Sequence, residues 1–246
     1  MELWDNSRYI KPNEFEVKGD VLVLAGDTFY LRDTVAPRKK FWNGASKSFQ
    51  QVLLVPGNHE LYGNSDVTVR GDSWQWMFRK NVGYYYNQVV HIDDTDFILT
   101  TLWSRIPEQD MFHVQRGMND FRQIMYDGRR LTPDDFNLEH EKCLTFLKQA
   151  VKESTAKHIV VVTHHLPTLS VVAAQHMGSV LNGAFATELG NYIADSRIDA
   201  WIYGHSHTNI DTMIGNTKII CNQMGYIYYN EHLTNGFEPN KTIVIE

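Results

Sequence analysis

Four short apolar runs punctuate this 246-residue chain, and each stops on polar side chains able to bind a metal. DVLVLA (Asp20–Ala25) gives way to Gly26-Asp27, and QVLLV (Gln51–Val55) to Pro56-Gly57-Asn58-His59-Glu60. HIVVVT (His158–Thr163) ends at His164-His165, and IDAWIYG (Ile198–Gly204) at His205-Ser206-His207. Short continuous apolar runs bounded by turn residues mark strands buried on both faces, as in the parallel parts of α/β sheets. In such sheets the functional loops gather in the crevice outside the carboxyl ends of the strands. The pattern therefore predicts an α/β domain whose strand ends converge on one centre.

The intervening segments fit that frame. Residues 33–49 are mixed and basic, as expected of the crossover helix in a βαβ unit. Residues 82–104, rich in Tyr, Val and Ile, read as two strands with a turn at Asp93-Asp94. The stretch from Pro107 to Arg130 has little periodicity and reads as a surface excursion near the site. Thr132-Pro133-Asp134-Asp135 then offers an N-cap, a proline at the first helical position and an acidic first turn. Phe136, His140, Cys143, Leu144, Leu147, Ala150 and Val151 continue at helical spacing. A helix is expected from Ala184 to Ala194, and strands at Thr217–Cys221 and from Lys241. There is no internal repeat and no linker, and 43% hydrophobic residues against 21% charged suit one large domain over 1–246.

A net charge of −6 and a pI near 6.0 argue against nucleic-acid or anionic-membrane partners, which call for clustered Lys and Arg. The two cysteines, Cys143 and Cys221, do not suggest a disulfide framework. No apolar stretch approaches the ~20 residues of a membrane span. The first twenty residues also lack the apolar core of a secretion signal. A reducing, cytoplasmic setting is expected.

The donor set points to chemistry. One carboxylate, one carboxamide and three or four imidazoles, with no thiolate, suit Mn, Fe, Co or Zn better than Ca or Mg. Gly26, Gly57 and Gly204 each precede a candidate ligand and allow close backbone approach at a crowded centre. A carboxylate between imidazole sets is a common bridge between two metals at ~3.5–4 Å, the spacing used in phosphoryl-transfer hydrolases.

LAGD, VPGNHE, VVVTHHLP and YGHSHT, in this order and at these separations, resemble the calcineurin-like metallophosphoesterases, from about Asp20 to the C-terminus. TLW (Thr101–Trp103) and CNxxGY (Cys221–Tyr226) resemble features of a bacterial branch of small members. The resemblance implies a four-layer α-β-β-α sandwich, with two mixed sheets face to face and helices outside. It implies that Asp27 bridges two metals, that Asn58, His164 and His205 complete the second metal's shell, and that His207 binds the first. His59 would lie near the leaving-group oxygen to stabilise charge or donate a proton, and Glu60 would hold a His or a loop in place. His165 would be a neighbour of His164, with the exchange of those two roles left open. The reaction implied is in-line attack on phosphorus by a hydroxide of lowered pKa. The partner implied is a small phosphorylated substrate: a phosphomonoester, a phosphodiester or a nucleotide pyrophosphate.

Some positions carry weaker readings. Asn119 and Arg122, in the excursion, are candidate phosphate contacts, with a solvated loop as the alternative. His91, His113, His140, His158, His176 and His232 read as surface or packing residues. Tyr84, Tyr85 and Tyr86 read as strand packing, and Gln223-Met224 stands where relatives often show Pro-Arg.

The chain departs from the family pattern at MELWDNSRYI, where relatives carry a strand ending in Asp-x-His. Asp5 and Glu2 are the early carboxylates that could substitute. Asp27, Asn58, His164 and His205 leave the second site with four ligands, whereas the first keeps Asp27 and His207, so one well-bound metal is expected. A misplaced start or a truncation is expected ahead of a real loss. The alternative function is a catalytically weakened metal-binding protein that holds a phosphorylated ligand or a partner.

Overall fold

The computed structural model describes residues 17–245. Glu2 and Asp5 lie outside them. One mixed sheet contains β1 (Val21–Leu24), β2 (Gln51–Leu54), β3 (Trp74–Arg79) and β4 (Val82–Tyr86), in spatial order β1-β2-β4-β3. β5 (Gln88–Ile92) and β6 (Thr95–Leu99) belong to a second sheet. After a two-stranded ribbon, β7 (Met125–Tyr126) and β8 (Arg129–Arg130), that sheet is completed by β9 (His158–Val162), β10 (Ala200–Tyr203), β11 (Thr212–Ile214) and β12 (Thr217–Cys221). Its order is β11-β12-β10-β9-β6-β5.

Side-chain alternation explains why the two sheets stack. In β2, Val52 and Leu54 join the core outside the first sheet, while Leu53, and Val55 just after the strand, join the core between the sheets. In β9, Val160 and Val162 face the same inter-sheet core, while Ile159 and Val161 face outward. Each such side chain adds roughly 1.5–3 kcal/mol on burial, so strands apolar at every position fit only where both faces are covered.

The outer cover of the first sheet comes partly from α1 (Lys40–Ser48), through Trp42 and Ala45. The excursion after Pro107 contributes α2 (Met111–Gly117) and α3 (Asp120–Gln123). The second sheet is covered by α4 (Pro133–Glu153) and α5 (Gly190–Ala194), through Leu147, Ala150, Val151 and Ile193. This is the expected four-layer arrangement. α4 starts where its caps dictate: Thr132 Oγ1 accepts from Asp135 N, and the Asp135 carboxylate accepts from Thr132 N.

Parallel register then sets the site. Leu24 pairs with Leu54, so Gly26-Asp27 and Gly57-Asn58 emerge at the same end of the first sheet. Val162 pairs with Ile202, so His164 and His205 emerge side by side from the second.

The fold differs from the sequence expectations in several places. Residues 82–104 form three strands, because Asn87, at φ 52°, turns the chain from the first sheet into the second; the turn at Asp93-Asp94 lies where expected. β3, with a bulge between Met77 and Arg79, was not anticipated. The excursion runs mostly over the surface, as expected, but it is anchored by Val114, Phe121, Ile124 and Tyr126, which are buried. The helix expected at Ala184–Ala194 shrinks to α5, because Leu166 forms an isolated strand-type bridge with Ala186, taking hydrogen bonds with Phe185 O and Thr187 N that a helix through this segment would not allow. Residues 241–245 form no strand, although Ile243 and Ile245 pack on the inter-sheet core.

Both cysteines are free and buried, and burial pushes their thiols up, to about 11 for Cys143 and about 12 for Cys221. They are inert at neutral pH. Among the described residues no helix is long and apolar enough to cross a membrane.

Candidate metal centre

The chain after β1 and the chain after β2 are pressed together at Gly26, Gly57 and Asp27. A Cβ at Gly57 would collide with the Asp27 carboxylate and the His164 ring, so glycine is required there. Asp27, His205 and His207 sit at φ 55°, 75° and 51°. Left-handed backbone costs a non-glycine residue on the order of 1–3 kcal/mol, and such strain persists only where surrounding contacts over-determine it.

Glu60 supplies those contacts for Asp27. Its fully buried carboxylate accepts from Asp27 N at 2.8 Å and Gly57 N at 2.7 Å through Oε2. Through Oε1 it accepts from Thr28 N at 2.6 Å, Thr28 Oγ1 at 2.8 Å and Tyr84 Oη at 2.9 Å. It thereby ties the loops after β1 and β2 into one unit.

Four side chains meet within this frame. His164 Nδ1 lies 2.8 Å from Ala25 O. A carbonyl only accepts, so Nδ1 carries the hydrogen, and in the neutral ring Nε2 then presents a lone pair. Facing that lone pair are Asn58 Oδ1 at 3.0 Å, His205 Nδ1 at 3.1 Å and Asp27 Oδ1 at 3.4 Å. Donor atoms of Asp27, His164 and His205 all lie within 4.8 Å of one another. Lone pairs crowded together repel unless a cation stands among them, and this mixed oxygen and imidazole set suits a transition metal. Burial, with His165, His164 and other imidazoles nearby, pushes His205 well below the usual histidine range, which keeps it in the neutral form that binds metals.

The other predicted residues fall around this cluster. His59 donates its backbone N–H to Asp27 Oδ1 at 3.0 Å, and its ring packs on Tyr62 at 4.4 Å, with Nδ1 3.8 Å from Asp27 Oδ2. His207 lies outside the three-residue cluster. Its Nδ1 is 2.9 Å from Glu231 Oε2, and its backbone N–H donates to Gln223 Oε1 at 2.8 Å. His165 stacks on Trp103, lies edge-on to Phe136 and packs against the rings of His205 at 4.5 Å and His164 at 5.3 Å, while its own Nδ1 faces Thr101 O at 3.4 Å. Asn119 and Arg122 are exposed, and the guanidinium folds back onto Met118 O, Asn119 Oδ1 and Arg116 O. The two residues between them, Asp120 and Phe121, are the ones that reach inward, and Asp120, 1% exposed, accepts from Asn58 Nδ2 at 2.7 Å. Sequence reasoning missed Asp120 and Glu231, since neither stands at a strand end.

His165 and His140 are buried, and burial lowers both below the usual histidine value, His165 strongly and with His164 adding to the effect. Unfolding lets them take up protons near the ordinary pKa of about 6.5. Their contribution is therefore complete above that pH and is lost as pH falls toward the folded values. In metal-free protein the slope is up to about 1.4 kcal/mol per pH unit for each ring. Urea unfolding across the weakly acid range should show it, and His140→Asn should remove about one proton's worth.

Known proteins bear on this geometry. The family model for calcineurin-like phosphoesterase matches residues 2–209. An uncharacterized protein of Acanthamoeba polyphaga mimivirus is 29% identical over 261 aligned positions, which span 99% of this chain and 88% of that one. The crystal structure of phosphopantetheinyl hydrolase from Mycobacterium tuberculosis superposes with a TM-score of 0.59 over 85% of this chain and 80% of that one, at 16% identity, a likeness of fold. With the family model spanning most of the sequence and the four-layer sandwich in place, the chain belongs to the calcineurin-like phosphoesterase family.

Proposed function

We propose that the chain hydrolyses a phosphoester of a small molecule, using a divalent transition metal (Mn, Fe, Co or Zn) held by Asp27, Asn58, His164 and His205. The observation that carries this reading is the set of lone pairs turned on one another at 3.0–3.4 Å around His164 Nε2. When bound, the metal supplies Lewis acidity toward a phosphoryl oxygen and lowers the pKa of water. The protein's own residues do the rest. Asp27 and the two histidines would fix the position of the charge, and the aromatic ring of Phe185, stacked on His205 at 4.4 Å, holds that imidazole in place. His59, with a side chain 22% exposed, stands at the rim beside Asp27 and is placed to stabilise or protonate the leaving oxygen. His207 is the candidate for a further metal shared with Asp27. The substrate class covers phosphomonoesters, phosphodiesters and nucleotide pyrophosphates, and the setting is cytoplasmic.

The test is turnover of p-nitrophenyl phosphate and bis-p-nitrophenyl phosphate by chelator-treated protein with each metal added back. Mn²⁺ is expected to restore activity and to raise the unfolding midpoint, by about 2.7 kcal/mol of stability at one hundred times its Kd. His205→Ala should abolish both responses. Absence of turnover of either ester with Mn²⁺, Fe²⁺, Co²⁺ and Zn²⁺ alike would sink the proposal.

A further inference from the structure

Asn58 presents a problem that the four-donor cluster does not solve by itself. The two ends of a carboxamide are nearly identical in size, yet only the oxygen can face a cation. Something must hold the amide the right way round. Both of its N–H groups point away from the cluster: Nδ2 lies 2.7 Å from Asp120 Oδ1 and 3.3 Å from Tyr62 Oη. Asp120 is the stronger of these partners, because a carboxylate only accepts and carries charge. Turning the amide over would set Asn58 Oδ1 against the Asp120 carboxylate and an N–H against the centre.

Asp120 is placed to act through Asn58, to which it makes its short side-chain hydrogen bond. It is 1% exposed, and it stands outside the Asp27, His164 and His205 donor group among the described residues. It arrives from α3, 62 residues from Asn58 in sequence, so the contact exists only when the excursion after Pro107 has packed against the first sheet. We infer that Asp120 is a positioning residue, whose carboxylate takes the Asn58 amide N–H and so commits Asn58 Oδ1 to the metal. This rests on the metal reading above, and it makes the excursion part of the metal centre.

The test is Mn²⁺ binding to the full chain by titration calorimetry, which needs no substrate. Asp120→Ala is expected to raise the Mn²⁺ Kd about 10–100-fold, the usual loss when a group holding a ligand is removed. Asp120→Asn keeps an acceptor oxygen without the charge, and should give a smaller loss. In an Asn58→Ala background neither change should weaken binding further, because a residue acting through Asn58 has nothing left to orient. That non-additivity separates positioning from general support of the fold, and Asp120→Asn carries the same comparison should Asp120→Ala fail to fold. A wild-type Kd in Asp120→Ala, or an equal loss with and without Asn58, overturns the inference. If the wild-type chain itself takes up no Mn²⁺, the metal reading falls and this inference with it. If the wild type binds and Asp120→Ala binds equally well, this inference alone falls.

Discussion

His59→Ala is expected to lower kcat on p-nitrophenyl phosphate by about 10²–10⁴-fold, the effect of losing a positioned proton donor, with Mn²⁺ affinity at the wild-type value. The separation follows from how His59 is attached. Its bond to Asp27 is made by the backbone N–H, which alanine keeps, whereas its ring packs on Tyr62 outside the group of donors around His164 Nε2. Activity and binding should therefore come apart in this variant and fall together in His205→Ala. Comparing kcat with the calorimetric Kd decides it, and a parallel loss of both would remove His59 from the role of proton donor.

Glu60→Ala is expected to be among the most damaging changes to stability, at about 3–5 kcal/mol. It strands the buried N–H groups of Asp27, Gly57 and Thr28 at once and leaves the strained Asp27 without its clamp. Against a typical total of roughly 5–15 kcal/mol, that is a large fraction. Glu60→Gln is milder for a specific reason. Its amide nitrogen can take the Oε1 position, where the Thr28 and Tyr84 hydroxyls can turn to accept, so the Thr28 N–H and, at a longer 3.4 Å, the Phe29 N–H are opposed, at about 1–3 kcal/mol. Urea midpoints at constant m-value measure both changes. A Glu60→Ala midpoint close to wild type would show that the loops after β1 and β2 are held by something else.

The sequence made the strand ends legible because their signal is local: an apolar run, then glycine, then a donor. It points to Asp27, Asn58-His59-Glu60, His164-His165 and His205 with His207, the family resemblance singles out Asp27, Asn58, His164 and His205, and register brings these together. Contacts made across long sequence separations left no such trace. Asp120 is embedded between Asn119 and Arg122, which looked more suited to phosphate, and its partner is 62 residues away. Glu231 meets His207 across 24 residues, from a tail with no periodicity to mark it. The division of residues 82–104 between two sheets rests on one residue, Asn87, whose left-handed backbone no glycine announces. Local patterns show where a strand stops; which neighbour it meets depends on packing that only the folded chain reveals.

Asp27 and Asn58 follow strands of one sheet, and His164 and His205 follow strands of the other. Neither half of the sandwich holds more than a pair of the four donors, and a pair seldom retains a transition ion. On the proposed metal reading, cation capture would work as a coincidence detector for assembly, silent until both halves have docked. During synthesis the last of the four to appear is His205, so capture by this set would come late, as a seal on a finished molecule rather than a seed for folding.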